Sequence, residues 1–242
     1  METRLTRTGQ RLTGLAMLVA VSAVIGTIVV AAARPHAQPP PVQPPAAAAP
    51  VTTPLPTKYV VLTFDDGPDP AYTPKVLEVL AKYDVKATFF EVGKNVAKHP
   101  ELTKAIHSAG HSIQNHTWAH ADLRHQTAAG FQKQVGDTDQ AIRSAAGITP
   151  TCLRPPYGGV SATVRQRAKA LGKDLVLWTI DSRDWSKPGT PEIEKRVLGA
   201  VKSGSVILMH DGGGNRSQTI AALPSILEKL KAQGYGFRTL SC

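Results

Sequence analysis

Two aspartates stand side by side in the stretch TFDDGP, where an apolar run ends in a turn. Neighbouring carboxylates repel each other, unless one of them binds a cation while the other stays free to move a proton. The Gly67-Pro68 pair that follows supplies a tight turn, which lets both side chains point inward. An Asx turn at a strand end would account for one aspartate but not for two. Asp65 and Asp66 therefore predict a carboxylate metal ligand beside a general base.

Two histidines four residues apart, His116 and His120 in HTWAH, would face the same way on one helical turn. This spacing alone is a weak signal, because such pairs also occur on surfaces and in helix packing. A carboxylate from TFDDGP would complete two imidazole nitrogens and one oxygen, which is the ligand set of a catalytic metal with open positions. We therefore expect a divalent cofactor, zinc first, with cobalt or another divalent ion as the alternative.

Polar residues follow five of the apolar runs. These polar residues are Asp65-Asp66, His116, Arg154, the stretch from Asp181 to Trp185, and His210-Asp211. In parallel α/β folds, ligands bind at the carboxyl ends of the strands, so we expect these five segments to meet at one site.

Hydrolysis of an amide is a reaction that such a set of residues could carry out. It needs a nucleophile, a stabilised oxyanion and an acid for the departing amine. A divalent metal serves the first two needs, and a histidine backed by a carboxylate serves the third.

The elements that must position these residues follow from periodicity, since short apolar runs alternate with amphipathic stretches. The predicted strands are Tyr59–Phe64, Ala87–Val92, Ser112–Asn115, Thr151–Arg154, Leu175–Ile180, Ser205–Met209 and Gly236–Leu240. The predicted helices are Pro74–Tyr83, Pro100–Ala109, Ala128–Ala146, Ser161–Leu171, Pro191–Lys202 and Ser217–Ala232. Nearly continuous apolar strands are typical of strands buried on both faces. The predicted fold class is α/β, with a parallel sheet that is open or closed into a barrel, and Trp178 is expected in its core.

The N-terminal part of the chain has a different composition. Arg4, Arg7 and Arg11 precede an uncharged apolar run from Leu12 to Ala33, so residues 1–33 are predicted to be a signal peptide or an N-terminal membrane anchor. Residues 34–57 form a Pro/Ala-rich linker. Residues 58–242 have the length of one domain. We expect this domain to be exported, either membrane-anchored and facing outward or secreted.

The formal net charge of +10 suits an anionic cell wall or membrane surface, although general solubility explains it equally well. No arginine-rich run is interleaved with aromatic residues, so no nucleic-acid partner is expected. We expect the domain to be monomeric. The two cysteines, Cys152 and Cys242, can form a disulfide in an oxidising compartment. That bond would tie the end of the last strand to the strand that precedes RPPYG.

Five stretches occur in a fixed order along the chain: TFDDGP, HTWAH, RPPYG, DSRDW and ILMHD. In order and spacing they resemble the motifs of the NodB-homology polysaccharide deacetylases, carbohydrate esterase family 4, and the resemblance covers residues 58–242 as the catalytic domain. It implies a distorted (β/α) barrel with about seven parallel strands. It also implies a metal-dependent hydrolase that removes acetyl groups from an acetylated polysaccharide.

The resemblance gives the first three motifs their roles. Asp66, His116 and His120 resemble the metal ligands. Asp65 resembles the general base that activates water, and Arg154 resembles the arginine that pairs with this base and orients it.

The remaining roles come from the later motifs in the same way. The backbone N–H of Tyr157 resembles an oxyanion donor, and His210 resembles the general acid. Asp184 resembles the carboxylate that supports this histidine. Trp185 resembles a wall of the sugar groove, and Leu208 resembles the lining of the pocket for the acetyl methyl.

Three other functions share part of these features. An acetylxylan esterase would use the same fold on O-acetyl groups, and a cleaved, freely secreted form would favour it. A non-haem iron oxygenase also uses two histidines and a carboxylate, but the aspartate pair and His210 speak against it. A sugar-binding module with a dead site is disfavoured because every motif residue is present. The favoured substrate is an N-acetylglucosamine polymer, peptidoglycan before chitin-like polymers, because an anchor and linker would hold the domain near its own wall.

Overall fold

The computed structural model describes residues 58–240 and residue 242. The strands are β1 (Tyr59–Asp65), β2 (Thr88–Glu91), β3 (Ser112–Asn115), β4 (Cys152–Leu153), β5 (Asp174–Leu175), β6 (Ile180–Asp181), β7 (Ser205–His210) and β8 (Gly236–Arg238). The helices are α1 (Thr73–Lys82), α2 (Gly93–Lys98), α3 (Pro100–Ser108), α4 (Ala128–Ala146), α5 (Ala162–Ala170), α6 (Thr190–Ala200) and α7 (Ser217–Ala232). The predicted N-terminal signal or anchor and the linker lie outside the described residues. Within residues 58–240, no helix is long and apolar enough to cross a membrane.

The strands form one sheet in which every pair is parallel, in the order β5-β4-β3-β2-β1-β7-β6. Strand β7 follows β1 along one edge from Val60 to Asp65. On the other edge of β1, β8 pairs with the first half and β2 with the second half. The seven strands of this order curl into a half-barrel with helices outside, which confirms the predicted distorted (β/α) barrel.

The predicted strand Leu175–Ile180 was wrong, because this run is two strands at opposite ends of the sheet order. The chain crosses between them within residues 176–179. On one side the Val176 N–H donates to the Leu153 carbonyl at 3.0 Å, and on the other the Thr179 N–H donates to the Val206 carbonyl at 2.9 Å. Residues 176–179 close the barrel and bring the two ends of the sheet order together.

Helix α2 was not predicted from the sequence. It has six residues, which is too few for a helical hydrophobic period to show. It begins at Gly93, directly after the residue that follows β2, and a Cβ at this glycine would lie 2.5 Å from the Trp118 ring. The glycine therefore allows the HTWAH segment to pack directly on the start of the helix.

Strand β1 divides its residues between two environments, because successive side chains point to opposite faces of a sheet. Val60, Leu62 and Phe64 belong to the main hydrophobic core, which they share with residues of the surrounding helices. Thr63 and Asp65 face the barrel interior, where both bind the same buried arginine. The alternation of apolar and polar side chains thus turns the first aspartate of TFDDGP inward.

Strand β7 shows the same division. Ile207 and Met209 join the main core, whereas Leu208 and His210 line a cavity at the mouth of the barrel. The register pairs Asp65 of β1 with His210 of β7. Neighbouring strands lie about 4.8 Å apart, so this register sets the aspartate and the histidine side by side.

The structure contains the disulfide that the two cysteines led us to expect. It joins Cys152 of β4 to the C-terminal Cys242, with the two Cα atoms 5.6 Å apart. The bond ties the end of the chain to the strand that precedes Arg154. Because the two residues are 90 apart in sequence, the chain-entropy model gives a stabilisation of about 4–5 kcal/mol.

Candidate metal and catalytic site

The structure brings the predicted site residues together at the carboxyl-terminal end of the barrel. Each lies at the end of a strand or in the segment that follows it, and most of them surround a cavity of about 410 Å³. The walls of this cavity are Asp65, Asp66, His116, His120, Pro155, Tyr157, Trp178, Asp181, Trp185, Leu208 and His210.

Asp66 would point away from Asp65 if β1 continued for one more residue. Instead its φ is 74°, a left-handed conformation that turns its carboxylate back toward the histidines. The Asn95 side chain holds this turn by donating to the Asp66 carbonyl at 2.9 Å. The next residue, Gly67, packs against Asp211 so closely that a Cβ would lie 2.5 Å from the carboxylate oxygens. Both carboxylates of TFDDGP therefore face the site.

A loop joins His116 and His120, so the expected helical turn between them was wrong. Thr117 and His120 both adopt left-handed conformations, with φ of 68° and 55°. The Asn115 side chain accepts a hydrogen bond from the Thr117 N–H at 2.8 Å, which fixes the start of the loop. The two imidazole rings nevertheless lie close, with centroids 5.0 Å apart.

Asp66, His116 and His120 form a donor set that could hold a metal ion, since one atom from each lies within 4.8 Å of the others. The Asp66 Oδ1 atom is 3.5 Å from His116 Nε2 and 3.3 Å from His120 Nε2. This oxygen is buried and has no hydrogen-bond partner among the described residues. A buried carboxylate oxygen facing two imidazole nitrogens fits a divalent cation.

The tautomer of His116 supports the same interpretation. Its Nδ1 lies 2.7 Å from the Arg154 carbonyl oxygen, which can only accept, so Nδ1 carries the hydrogen. The Nε2 lone pair is thereby left facing Asp66, as a metal ligand requires. His120 has its Nδ1 3.2 Å from the Tyr157 hydroxyl, which orients the second ring.

Burial and the neighbouring charges shift the pKa values of the three residues in this donor set. Burial by itself would raise the pKa of Asp66, but the adjacent His116 ring and the charges of the nearby histidines hold it well below the ordinary value. Burial lowers the pKa of His116, yet the charges of Asp65 and Asp66 outweigh burial and raise it. Burial lowers the pKa of His120. The carboxylate is therefore ionised, and a proton competes with a cation mainly at His116.

Asp65 forms a buried ion pair with Arg154. The Arg154 Nη1 atom donates to Asp65 Oδ1 at 2.7 Å, and both side chains are almost completely buried. The other oxygen, Oδ2, lies 3.7 Å from His116 Nε2. One oxygen of Asp65 is thus bound to the arginine, while the other is directed toward the metal-ligand set.

Arg154 is the largest fully buried side chain of the described residues, and its hydrogen bonds link strand β1 to the segment that closes the barrel. It donates to the Thr63 hydroxyl of β1 at 2.8 Å and to the Leu177 carbonyl of the closing segment at 3.2 Å. Its guanidinium lies 4.0 Å from the centre of the Phe90 ring. The arginine therefore fixes the position of Asp65 relative to the segment that closes the barrel.

His210 forms a second buried pair with Asp184. His210 Nδ1 lies 2.7 Å from Asp184 Oδ1, and the other carboxylate oxygen accepts from the His210 backbone N–H at 2.9 Å and from the Thr219 hydroxyl at 2.7 Å. Burial would lower the pKa of His210, but the hydrogen bond and charge of Asp184 raise it above the ordinary value. Burial would raise the pKa of Asp184, but its bonds to His210 and Thr219 lower it. The pair therefore favours a protonated imidazole with Nε2 facing the cavity.

The outer walls of the cavity are aromatic. Tyr157 is 69% exposed and Trp185 is 47% exposed, whereas Leu208 is buried at the base. Trp178 was expected in the core, but it is only half-buried and lines the cavity. It lies in the segment that closes the barrel, where no regular strand directs it to the core.

Two polar residues support the site although the sequence analysis assigned them no role. Thr219 lies on α7 and binds Asp184, and nothing in its helical context distinguishes it. Asp211 is fully buried against Gly67 and accepts from the Thr73 hydroxyl at 2.5 Å. Burial raises the pKa of Asp211 to about 7. The ILMHD motif marked this aspartate, but only the strand register shows that it supports the TFDDGP turn.

A parallel (β/α) barrel that carries a two-histidine, one-carboxylate donor set between two hydrogen-bonded acid–base pairs is the arrangement of a metal-dependent hydrolase. Residues 52–176 match the family model described as polysaccharide deacetylase. A peptidoglycan-N-acetylglucosamine deacetylase of Bacillus cereus is 42% identical over 186 residues, which cover 76% of this chain and 87% of that protein.

Two further relatives agree with this assignment. A chitooligosaccharide deacetylase of Rhizobium leguminosarum bv. trifolii is 38% identical over 192 residues, which cover 75% of this chain and 89% of that protein. The structure of a family 4 carbohydrate esterase from Streptomyces lividans, in complex with acetate, superimposes with a TM-score of 0.72 at 35% identity and covers 77% of this chain and 94% of that one. The chain belongs to the polysaccharide deacetylases of carbohydrate esterase family 4, as the five motifs indicated.

Proposed function

We propose that this protein is an exported deacetylase that hydrolyses the N-acetyl groups of N-acetylglucosamine units in peptidoglycan and uses zinc. The observation that carries the proposal is the grouping of three units around one cavity, namely the donor set Asp66–His116–His120, the pair Asp65–Arg154 and the pair His210–Asp184. Together they offer a cation site, a base and an acid for one amide.

Asp66, His116 and His120 would hold the cation, because their free donor atoms converge and Asp66 Oδ1 is otherwise unpaired. A divalent ion held there supplies Lewis acidity, which lowers the pKa of a coordinated water to about 7 and polarises the acetyl carbonyl. Two imidazoles with one carboxylate suit zinc, and cobalt or another divalent ion is the alternative.

Asp65 is the proposed general base. Arg154 binds its Oδ1, so the proton from the attacking water is taken by Oδ2, which faces the ligand set. The buried arginine keeps the carboxylate from rotating and holds it in one orientation. Arg154 thus acts on the reaction through the position of Asp65.

His210 is the proposed general acid. Asp184 binds Nδ1, so the proton at Nε2 is the one given to the departing amine nitrogen. The carboxylate of Asp184 also stabilises the protonated ring, as the raised pKa of His210 indicates; burial alone would have lowered that pKa. The register that pairs His210 with Asp65 lets acid and base reach the same acetamide from neighbouring strands.

Three further residues are assigned to substrate binding. Leu208 lies buried at the base of the cavity, where it would contact the acetyl methyl. Tyr157 has a φ of 61° beside the cavity, and its backbone N–H is the proposed donor to the developing oxyanion. The exposed ring of Trp185 would form a wall against the sugar.

The proposed export and the proposed substrate rest on the N-terminal composition and on the relatives. A basic, apolar leader at residues 1–33 and a Pro/Ala-rich linker at residues 34–57 would hold the domain outside the cell and near its wall. Two relatives, with 42% and 38% identity, carry names that specify N-acetylglucosamine polymers or oligomers. Both the location and the relatives favour peptidoglycan over plant polymers.

The test is acetate release by the purified, zinc-loaded domain on peptidoglycan, chitooligosaccharide and acetylxylan under the same conditions. We expect kcat/KM on the two N-acetylated substrates to exceed that on acetylxylan at least about tenfold, which corresponds to roughly 1.4 kcal/mol of transition-state discrimination. A preference for acetylxylan would replace the proposal with an O-deacetylase. Binding of these polymers without acetate release would indicate a sugar-binding module instead.

A further inference from the structure

A second cavity, of about 380 Å³, also reaches the proposed metal ligands. It shares Asp66 and His120 with the catalytic cavity, and its other walls are Val92, Lys94, Asn95, Lys98, Ala119 and Gly213. The two cavities therefore extend from the ligands in different directions. A polymer that lies across the metal site would occupy both of them.

The second cavity carries a pair of free positive charges. Lys94 and Lys98 are exposed on α2, one helical turn apart. Neither ammonium has an acidic partner within the part of the chain that the structure describes. Like charges at this spacing repel each other, and an anion between them would relieve the repulsion. In contrast, Lys133 and Lys229 on other helices each form an ion pair with an acidic side chain.

Helix α2 holds these two lysines at a fixed position relative to the metal ligands. The N–H groups of Gly93 and Lys94 donate to the carbonyls of Thr117 and Trp118 at 3.0 and 2.9 Å, and these carbonyls lie between the two ligand histidines. The Asn95 side chain binds the backbone of Asp66 from the same helix. The helix is therefore tied to both ligand-bearing segments, so a group bound by the lysines would be positioned relative to the reacting sugar.

The walls of the two cavities suit different parts of a substrate. Exposed aromatic rings in the catalytic cavity suit a neutral sugar ring. Ammonium groups suit an anion, and a carboxylate is the anion that the peptides on alternate sugars of peptidoglycan carry. Chitin-like polymers have no such group.

We propose that Lys94 and Lys98 bind a peptide carboxylate on a sugar next to the one that is deacetylated. The cavity thereby selects peptide-substituted peptidoglycan over neutral N-acetylglucosamine polymers. This inference rests on the proposed function and adds to it the group that determines the substrate.

The test compares peptidoglycan glycan strands with free peptide carboxylates and the same strands after the carboxylates have been converted to primary amides. Chitooligosaccharide serves as the neutral substrate. The variant is Lys94→Ala/Lys98→Ala in the zinc-loaded domain. The matched control is Arg165→Ala/Lys169→Ala on α5, which removes two exposed charges at the same spacing from a helix that lines neither cavity.

We expect the unmodified enzyme to prefer the free-carboxylate strands by about three- to tenfold in kcat/KM, the range expected for two exposed charge contacts. The lysine variant should lose this preference and keep its chitooligosaccharide activity, and the control should keep both. A preference unchanged in the lysine variant, or an equal loss on chitooligosaccharide, would overturn the inference and leave the proposed function intact. Absence of acetate release from every glycan would contradict the proposed function itself, and the inference with it.

Discussion

Replacement of Asp65 by Asn is expected to lower kcat for acetate release about 10²–10⁴-fold while the domain keeps one zinc ion. Asparagine has nearly the same shape but cannot take a proton from water. The donor set of Asp66, His116 and His120 does not include Asp65, so metal affinity should change little. Arg154 would keep its bonds to the Thr63 hydroxyl and to backbone carbonyls, which limits the damage to the fold.

The matched control is Asp66→Asn in the same motif. This change removes the negative charge of the buried carboxylate that faces both histidines and leaves a neutral amide, so zinc content and activity should be lost together. Zinc content and acetate release measured on both variants separate the two roles. An Asp65→Asn enzyme that turned over at a near-normal rate, or that lost its zinc, would show that the paired aspartates do not divide the work in this way.

Replacement of His210 by Ala is expected to lower kcat by a similar factor, about 10²–10⁴-fold, with the metal retained. The variant lacks the proton donor for the departing amine. Asp184 cannot replace it, because Asp184 does not line the cavity and contacts it only through the His210 ring. A general acid must be protonated, so activity is present below its pKa and falls as the pH rises through it. The raised pKa of His210 therefore predicts an alkaline limb above the ordinary histidine value of about 6.5.

The Asp184→Asn variant tests this assignment without removal of the imidazole. Asn keeps a polar contact with His210 but removes the negative charge that raises its pKa against the effect of burial. The alkaline limb should move to lower pH, because the imidazole then loses its proton more readily. The pH dependence of kcat for the original enzyme and this variant checks the shift. An alkaline limb at the same pH in both enzymes would exclude His210 as its source.

The sequence was sufficient to predict that the candidate site residues lie together, because they stand at or after the ends of apolar strands. In a parallel sheet, this pattern places the side chains at one end whatever the strand order. Alternation along β1 also accounts for the inward direction of Asp65. The strand order itself could not be predicted, since β7 lies next to β1 although Asp65 and its register partner His210 are 145 positions apart in the chain. That pairing depends on packing between elements far apart in the chain, and it is what brings the proposed base beside the proposed acid.

Backbone conformation was the main part of the site that the sequence did not reveal. Left-handed conformations at Asp66, Thr117 and His120 direct the three proposed metal ligands toward one point. Such conformations are uncommon for residues other than glycine and depend on surrounding contacts, such as those from Asn95 and Asn115. A helical period was therefore the wrong model for HTWAH, although its two histidine rings do lie together.

The barrel closure shows a second limit of sequence patterns. Apolar residues 175–180 fit one strand by periodicity, but the run leaves one end of the sheet order and joins the other. Arg154 stabilises this crossing by donating to the Leu177 carbonyl, a contact between segments more than twenty residues apart. For the same reason Trp178 was assigned to the core, whereas it lines the cavity.

The most direct test of the central claim is the metal dependence of acetate release. Zinc content and turnover on an N-acetylglucosamine polymer are measured on the purified domain, on the domain after chelation and dialysis, and on the same sample after addition of one equivalent of zinc. We expect activity to fall to background as zinc is removed and to return with its addition. The reason is that the donor atoms of Asp66, His116 and His120 converge on one point, where the proposed reaction requires a bound cation. Full activity in the metal-free sample would contradict the account.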